Sequence, residues 1–244
     1  MSDAVVSTPE PALSPPLSAK AAASVALLQR AVAEHGKVIY ANSLGAEAMV
    51  LTDLIWRQVP AIDMFTLDTG RLHDETLALI EQLEQRYQRR LKVYYPDTQA
   101  IERWVKLNGI NGFYQSVAQR LDCCGIRKVE PFNRAVAGYS AWVTGVRREQ
   151  SEARAGTRPI ELDARNGLRK ISPLLDWSET EIWEYIRACR LPYNPLHDRG
   201  FPSIGCAPCT RAVSAGEDHR AGRWWWESAE SRECGLQPKQ SVSG

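Results

Sequence analysis

Three observations predict that this chain folds as an α/β domain: a mostly parallel sheet with helices on both faces, an irregular C-terminal lobe and a mobile tail. Short apolar runs alternate with amphipathic stretches from Lys37 to Arg190. Turn residues such as Gly45 and Asp68-Thr69-Gly70 sit where those runs end. From about Gly200 the alternation dissolves into Gly, Pro, Cys and Arg. Alternation of strand and helix patterns implies parallel strands covered by crossover helices. The length of 244 residues suits one such domain with its own core.

The elements follow in order. Residues 1–17, rich in Pro, Ser and Ala, read as a disordered leader. The domain is expected over 18–226, and a mobile tail over 227–244. A helix is predicted from Ser18 to His35, stopped by Gly36. Lys37 to Ser43 reads as the first buried strand, Gly45 as a turn and Glu47 to Gln58 as a helix. A strand from Ile62 to Leu67, a helix from Asp74 to Tyr87 and a strand from Leu91 to Tyr95 come next. Ala141 to Val146 and Ile171 to Leu175 are strand-like, and a helix capped by Asp176 or Ser178 runs through Arg190. In such sheets ligands sit beyond the carboxyl ends of the strands, which points to the loops after Ser43, Leu67 and Val146.

Composition excludes several classes. A net charge of +1 gives no support for a nucleic-acid binder. No run approaches the roughly 18 apolar residues of a membrane span. Met1 to Pro16 holds four prolines and no basic-then-apolar pattern of a secretory signal, so a cytoplasmic location is expected. The sequence leaves room for a homo-oligomer.

Six cysteines carry the strongest chemistry: Cys123, Cys124, Cys189, Cys206, Cys209 and Cys234. In a reducing compartment, clustered cysteines point to ligands or catalysts rather than disulfides. Cys206-Ala-Pro-Cys209 has the spacing of a metal knuckle. Adjacent side chains such as Cys123 and Cys124 diverge, which strains a single tetrathiolate zinc, whose sulfurs lie only about 3.8 Å apart. A cubane offers a separate iron to each thiolate. One [4Fe–4S] cluster per chain is therefore expected, with zinc or unliganded core thiols as the alternatives. Lys128 falls one helical turn after Cys124, where its ammonium could stand between a cluster and an anionic substrate; a solvated surface lysine is the plain alternative.

Asn42-Ser-Leu-Gly-Ala-Glu47 joins a strand to a helix whose first N–H groups can hold an anion. Leu67-Asp-Thr-Gly-Arg71 offers Asp68 and Thr69 to a ribose or base. Each loop alone is equally well a simple turn. Arginines gather near predicted loops: Arg147, Arg148 and Arg154, then Arg211, Arg220 and Arg223, as suits sulfate or phosphate oxygens. Cys234, in Arg232-Glu-Cys-Gly-Leu236, lies in a tail with no packing pattern, either an incidental thiol or a mobile nucleophile. Cys189 reads as a core residue, and Trp224-Trp225-Trp226 as packing for the root of the tail.

Together these motifs resemble the assimilatory adenylyl-sulfate reductases, the iron–sulfur branch of the phosphoadenylyl-sulfate reductase family, over about Lys37 to Leu236. The marks are Leu67-Asp-Thr-Gly-Arg71, Gly145-Val-Arg-Arg-Glu-Gln-Ser151, both cysteine pairs and Glu233-Cys-Gly-Leu236. The resemblance implies a Rossmann-like domain of the adenine nucleotide α-hydrolase (PP-loop) type. It implies reduction of adenosine 5′-phosphosulfate (APS) to sulfite and AMP, with Cys234 as nucleophile and thioredoxin or a similar dithiol as reductant. By the same resemblance Cys123, Cys124, Cys206 and Cys209 hold the cluster. Ser43, Gly45, Leu67, Thr69, Gly145 and Arg154 match substrate positions, and Lys128, Arg220 and Arg223 supply cationic charge. Two departures stand out: Leu44 in the first loop, and Gln237 where relatives commonly carry His.

Three rivals remain at this level. The substrate could be the 3′-phosphorylated nucleotide. An ATP-dependent sulfur-transfer or tRNA-thiolating enzyme usually opens with Ser-Gly-Gly-x-Asp-Ser, which Asn42 to Ala48 does not match. A cluster-binding sensor would leave Cys234 without a role.

Overall fold

The structure is a computed structural model that describes residues 13–150, 154 and 156–228. It opens with α1 (Pro15–His35), β1 (Val38–Asn42), α2 (Ala46–Gln58), β2 (Asp63–Leu67), α3 (Asp74–Tyr87) and β3 (Lys92–Tyr94). Then come α4 (Thr98–Asn108), a 3₁₀ turn (Gly112–Tyr114), α5 (Val117–Cys124), a π turn (Gly125–Val129) and α6 (Glu130–Val136). The chain continues through β4 (Ala141–Val143), β5 (Ile160–Asp163), β6 (Leu168–Ile171) and α7 (Glu179–Ala188).

Local chemistry sets the helix ends. Pro occupies the first turn of α1, where its missing N–H costs nothing, and Gly36 closes the helix at a φ of 70°. Ser178 and Glu181 form a reciprocal capping box at the start of α7, which settles the choice of cap in favour of Ser178. The helix begins at Pro15 rather than Ser18, with Leu17 buried, so the leader expected over 1–17 gives up its last residues to α1. Residues 1–12 of that leader lie outside the described residues.

The sheet runs β3-β2-β1-β4-β6-β5, parallel except for the β5–β6 pair. From β1 the chain steps outward to β2 and β3, then returns to place β4 on the other side of β1. That reversal opens a crevice at the carboxyl ends of β1 and β4. Strand side chains alternate between two cores. Val38 and Tyr40 face the core built by α1, α2 and α7, while Ile39, Phe65 and Trp142 pack on Phe132 and Ala135 of α6. A third, smaller cluster gathers Trp104, Phe113, Cys124, Cys206, Cys209 and Trp224.

The strand expected over Ile171 to Leu175 is displaced: β6 ends at Ile171 and a turn follows. β6 is paired on both edges, and Pro173 has no N–H to give a ladder, so the strand must stop before it. Its hairpin partner β5 went unpredicted. The Asn166-Gly167 pair, with Gly167 at a φ of 71°, was the available signal. The irregular lobe after Gly200 is as expected: residues 200–228 hold one 3₁₀ turn, Ala207–Cys209, and one bridge, Thr210 with Arg223.

Candidate active site

The crevice beside β1 is a cleft of about 290 Å³, near the lower end of the roughly 300–1,000 Å³ typical of small-molecule sites. The nine residues that the resemblance assigns to the substrate all line it: Ser43, Gly45, Leu67, Thr69, Lys128, Gly145, Arg154, Arg220 and Arg223. Ser43 and Gly45 follow β1, Leu67 ends β2 and Thr69 follows it, and Gly145 follows β4. Lys128 enters from the π turn, and Arg220 and Arg223 from the irregular lobe.

The first loop is shaped by its own side chains. Leu44 takes a φ of 58° although it carries a Cβ, and it is buried. The Asn42 carboxamide holds it there, accepting from Leu44 N at 2.8 Å while donating to Thr52 Oγ1 at 2.9 Å. A strained residue kept by such over-determination is typical of ligand-binding loops. Gly145 is needed across the cleft, since a Cβ there would stand 3.1 Å from that of Glu47.

A second, smaller cavity is lined by Cys123, Cys124, Cys206 and Cys209 together with Arg71, Phe113, Arg120, Arg127, Lys128 and Pro208. Among the described residues Lys128 alone lines both cavities. The tandem cysteines end α5, and the helix widens directly after them: Glu130 N bonds Gly125 O, five residues back. The Leu67-Asp-Thr-Gly-Arg71 loop braces the Cys206–Cys209 knuckle and the π turn that follows Cys124. Thr69 Oγ1 lies 3.2 Å from Cys206 Sγ, and Ala207 N donates to Arg71 O at 2.7 Å. From the other side Arg127 Nη1 donates to Thr69 O at 2.6 Å.

Electrostatics differ among these thiols. Burial opposes ionisation of Cys206, yet Lys128, the Thr69 hydroxyl, Arg223 and Arg127 together hold its pKa below the ordinary thiol value. Burial, then the neighbouring Cys206, pushes Cys209 up to about 12. Burial also raises Cys123. Among the described residues no group of three or more His, Cys, Asp or Glu side chains is arranged to hold a single metal ion. Four thiols ringing one cavity suit a multi-iron group, in which each sulfur meets a different iron. Cys189 lies elsewhere, at the end of α7 beside Tyr185, and burial with the nearby Asp53 pushes it up to about 11, as befits a core thiol.

Three of the six highlighted arginines do other work. Arg147 turns inward, its Nε 2.9 Å from Glu47 Oε1 and its Nη1 2.8 Å from Glu149 Oε2. Arg148 pairs with Asp176 at 2.8 Å, and Arg211 with Glu217 at 2.7 Å. Arg154 does line the cleft and donates to Gln150 Oε1, whose amide in turn donates to Glu47 at 2.9 Å.

Sequence reasoning passed over several lining residues. His197 lines the cleft, its buried Nε2 without a hydrogen-bond partner among the described residues, and burial lowers its pKa. Glu47, Gln150, Thr144 and His219 also line the cleft. Each is a common residue in a loop or first helical turn, and only the folded chain marks it out. Trp224 packs the root of the tail as expected, being 1% exposed. Cys234 and Gln237 lie outside the described residues.

Comparison with known proteins agrees with this layout. Residues 37–212 match the phosphoadenosine phosphosulfate reductase domain. An adenosine 5′-phosphosulfate reductase of Allochromatium vinosum is 55% identical over 92% of this chain and 88% of its own length. One of Burkholderia cepacia is 51% identical over 92% of this chain and 90% of its own. Among solved structures, a phosphoadenylyl-sulfate reductase of Candida auris in complex with phosphate superposes with a TM-score of 0.67 at 27% identity, covering 82% of this chain and 98% of the other. An FMN adenylyltransferase of Candida glabrata, at 16% identity, TM-score 0.57 and coverages of 93% and 80%, shares the fold alone.

Proposed function

This chain belongs to the phosphoadenosine phosphosulfate reductase family, and from that premise we propose that it reduces APS to sulfite and AMP, in the cytoplasm, for assimilation of sulfate into cysteine. The observation that carries this reading is the place of Lys128, on the wall between the cleft and the four-cysteine cavity.

In the proposed reaction the nucleotide lies across the carboxyl ends of β1, β2 and β4. Thr69, Leu67 and Gly145 hold its nucleoside part, and Ser43 with Gly45 holds the phosphate side. Arg154, Arg220, Arg223 and Lys128 lower the cost of bringing a thiolate to an anion. Cys234 thiolate attacks the sulfonyl sulfur. The S–O bond to the phosphate breaks, and AMP leaves with the bonding pair. Cys234 then carries an S-sulfonate. A dithiol such as thioredoxin attacks Cys234 Sγ, and sulfite departs with the electron pair of the S–S bond. The second thiol of the reductant then closes a disulfide and frees Cys234.

Cys123, Cys124, Cys206 and Cys209 would hold a [4Fe–4S] cluster. Bound there, it would supply negative charge near Lys128 and tie the irregular lobe to α5, and the reaction would not need it to carry electrons. Gln237 offers a hydrogen bond in the tail but no titrating base.

The test is sulfite release from APS and from its 3′-phosphorylated form, with thioredoxin, by the wild type and by Cys234→Ser. APS is expected to be preferred, and Cys234→Ser to bind AMP and yield no sulfite. Turnover by Cys234→Ser, or preference for the phosphorylated nucleotide, would overturn the reading.

A further inference from the structure

Arg120 is an arginine buried to 1% exposure, one helical turn before the tandem cysteines on α5. Its Nε donates to Glu227 Oε1 at 2.9 Å and its Nη2 to Glu227 Oε2 at 2.7 Å. The carboxylate side chain is itself 3% exposed. Arg120 also bonds the Cys124 thiol. A forked guanidinium–carboxylate pair fixes both distance and orientation. Such a pair is a poor way to gain stability, because an apolar pair of similar volume does as well without desolvating two charges. Placement is the role left for it.

What it places is the root of the C-terminal segment. Trp224 N donates to Cys209 O at 3.2 Å, and Glu227 N to Trp224 O at 2.9 Å. The root is therefore bonded to both cysteine pairs: by backbone to the Cys206–Cys209 knuckle, by side chain to α5. Trp224 has a φ of 44°, a left-handed conformation for a bulky residue, which persists only where surroundings impose it. Two guanidinium groups stand over its ring, Arg120 at 4.7 Å and Arg223 at 4.6 Å from the centroid. Arg120 lines the cysteine cavity and Arg223 lines the cleft.

We propose that Arg120 and Glu227 are positioning residues, a clamp that fixes the chain just before the run that carries Cys234. Resting on the reductase reading above, the clamp deepens it by assigning how the nucleophile is delivered. Cys234 follows Ser228 by six residues, a span of at most about 20 Å. A root held between the two cavities keeps the thiol at high effective concentration over the cleft, and a loosened root dilutes it.

The experiment uses the full-length chain carrying the paired change Arg120→Met with Glu227→Leu, which removes both charges without stranding either, and the single change Glu227→Asp. Four quantities are read: iron content, AMP affinity, proteolytic release of the C-terminal segment under native conditions, and the single-turnover rate of Cys234 S-sulfonate formation without reductant. The paired variant is expected to keep iron and AMP affinity within about twofold, to release its C-terminal segment faster, and to form the adduct at least about tenfold more slowly. Glu227→Asp, with the charge kept, should recover part of that rate. An unchanged adduct rate, or a loss of iron or AMP affinity in step with it, overturns the clamp alone. A wild type that forms no adduct on Cys234 overturns the reductase reading, and the clamp's purpose with it.

Discussion

The hydroxyl of Thr69 lies 3.2 Å from the sulfur of Cys206, so a residue of the cleft touches a residue of the cysteine cavity. Replacing Thr69 with Val keeps the volume and deletes that bond. One neutral hydrogen bond is worth about 1 kcal/mol, and about fivefold in kcat/KM is the expected loss. Iron should also leave faster under a chelator. Steady-state assays with APS and a chelation time course check both.

Gly205 has no room for a side chain: a Cβ would overlap the guanidinium of Arg223. The obstacle is the far end of a flexible side chain, so Gly205→Ala should fold normally and simply expel Arg223 from its place. We expect kcat to fall by about 10²-fold with a melting temperature near that of the wild type. A parallel loss of melting temperature would show that the lobe, and not Arg223, was disturbed.

The thiols should separate cleanly by role. Cys206→Ser is expected to lose its iron absorption and its activity together, because oxygen is a poor replacement for thiolate at iron. Cys189→Ser, in the core beside Tyr185, should keep both and lose only stability. Iron analysis and visible spectra of anaerobically purified protein distinguish them.

Asp53, which lines neither cavity, accepts from Tyr87 at 2.7 Å and from Tyr185 at 2.8 Å. Tyr185→Phe leaves the buried carboxylate short of a donor and should cost about 1.5–3 kcal/mol. Urea denaturation reads this directly, and KM should not move.

Acid should weaken the N-terminal packing. Burial opposes ionisation of Glu181, but its bonds to Lys20 and Ser178 hold its carboxyl below the ordinary value. A depressed folded pKa means stability that is present above the unfolded value of about 4.3 and is lost as pH falls below that value and through the lower folded one. Glu181→Gln should therefore be about 1 kcal/mol less stable at pH 7, and the gap should narrow as pH falls below the unfolded carboxylate value. Urea midpoints across that range test the sign.

The sequence was most readable where one pattern recorded one environment. Alternation placed β1, β2 and β4, and the two cysteine pairs announced their cavity by spacing alone. It was least readable where a side chain's partner is distant in the chain. Nothing near Arg147 says that it will bury itself against Glu47, a hundred residues away, instead of meeting an anion. Arg120 and Glu227 are likewise separated by 107 positions. Pro173 misled in the opposite way, standing inside an apolar run that looks like strand but cannot give the ladder its hydrogen.

The π turn at Gly125–Val129 makes one rod serve two clients. Before it, Arg120 and Cys124 face the cysteine cavity; after it, Phe132 and Ala135 face the sheet. A residue of ordinary helix is about 100° of rotation, and the widened turn is the phase correction that brings both faces into register. Shortening that turn by a single residue would leave composition, charge and every named side chain elsewhere in place. It would nonetheless point either the tandem cysteines or the sheet-packing face into solvent.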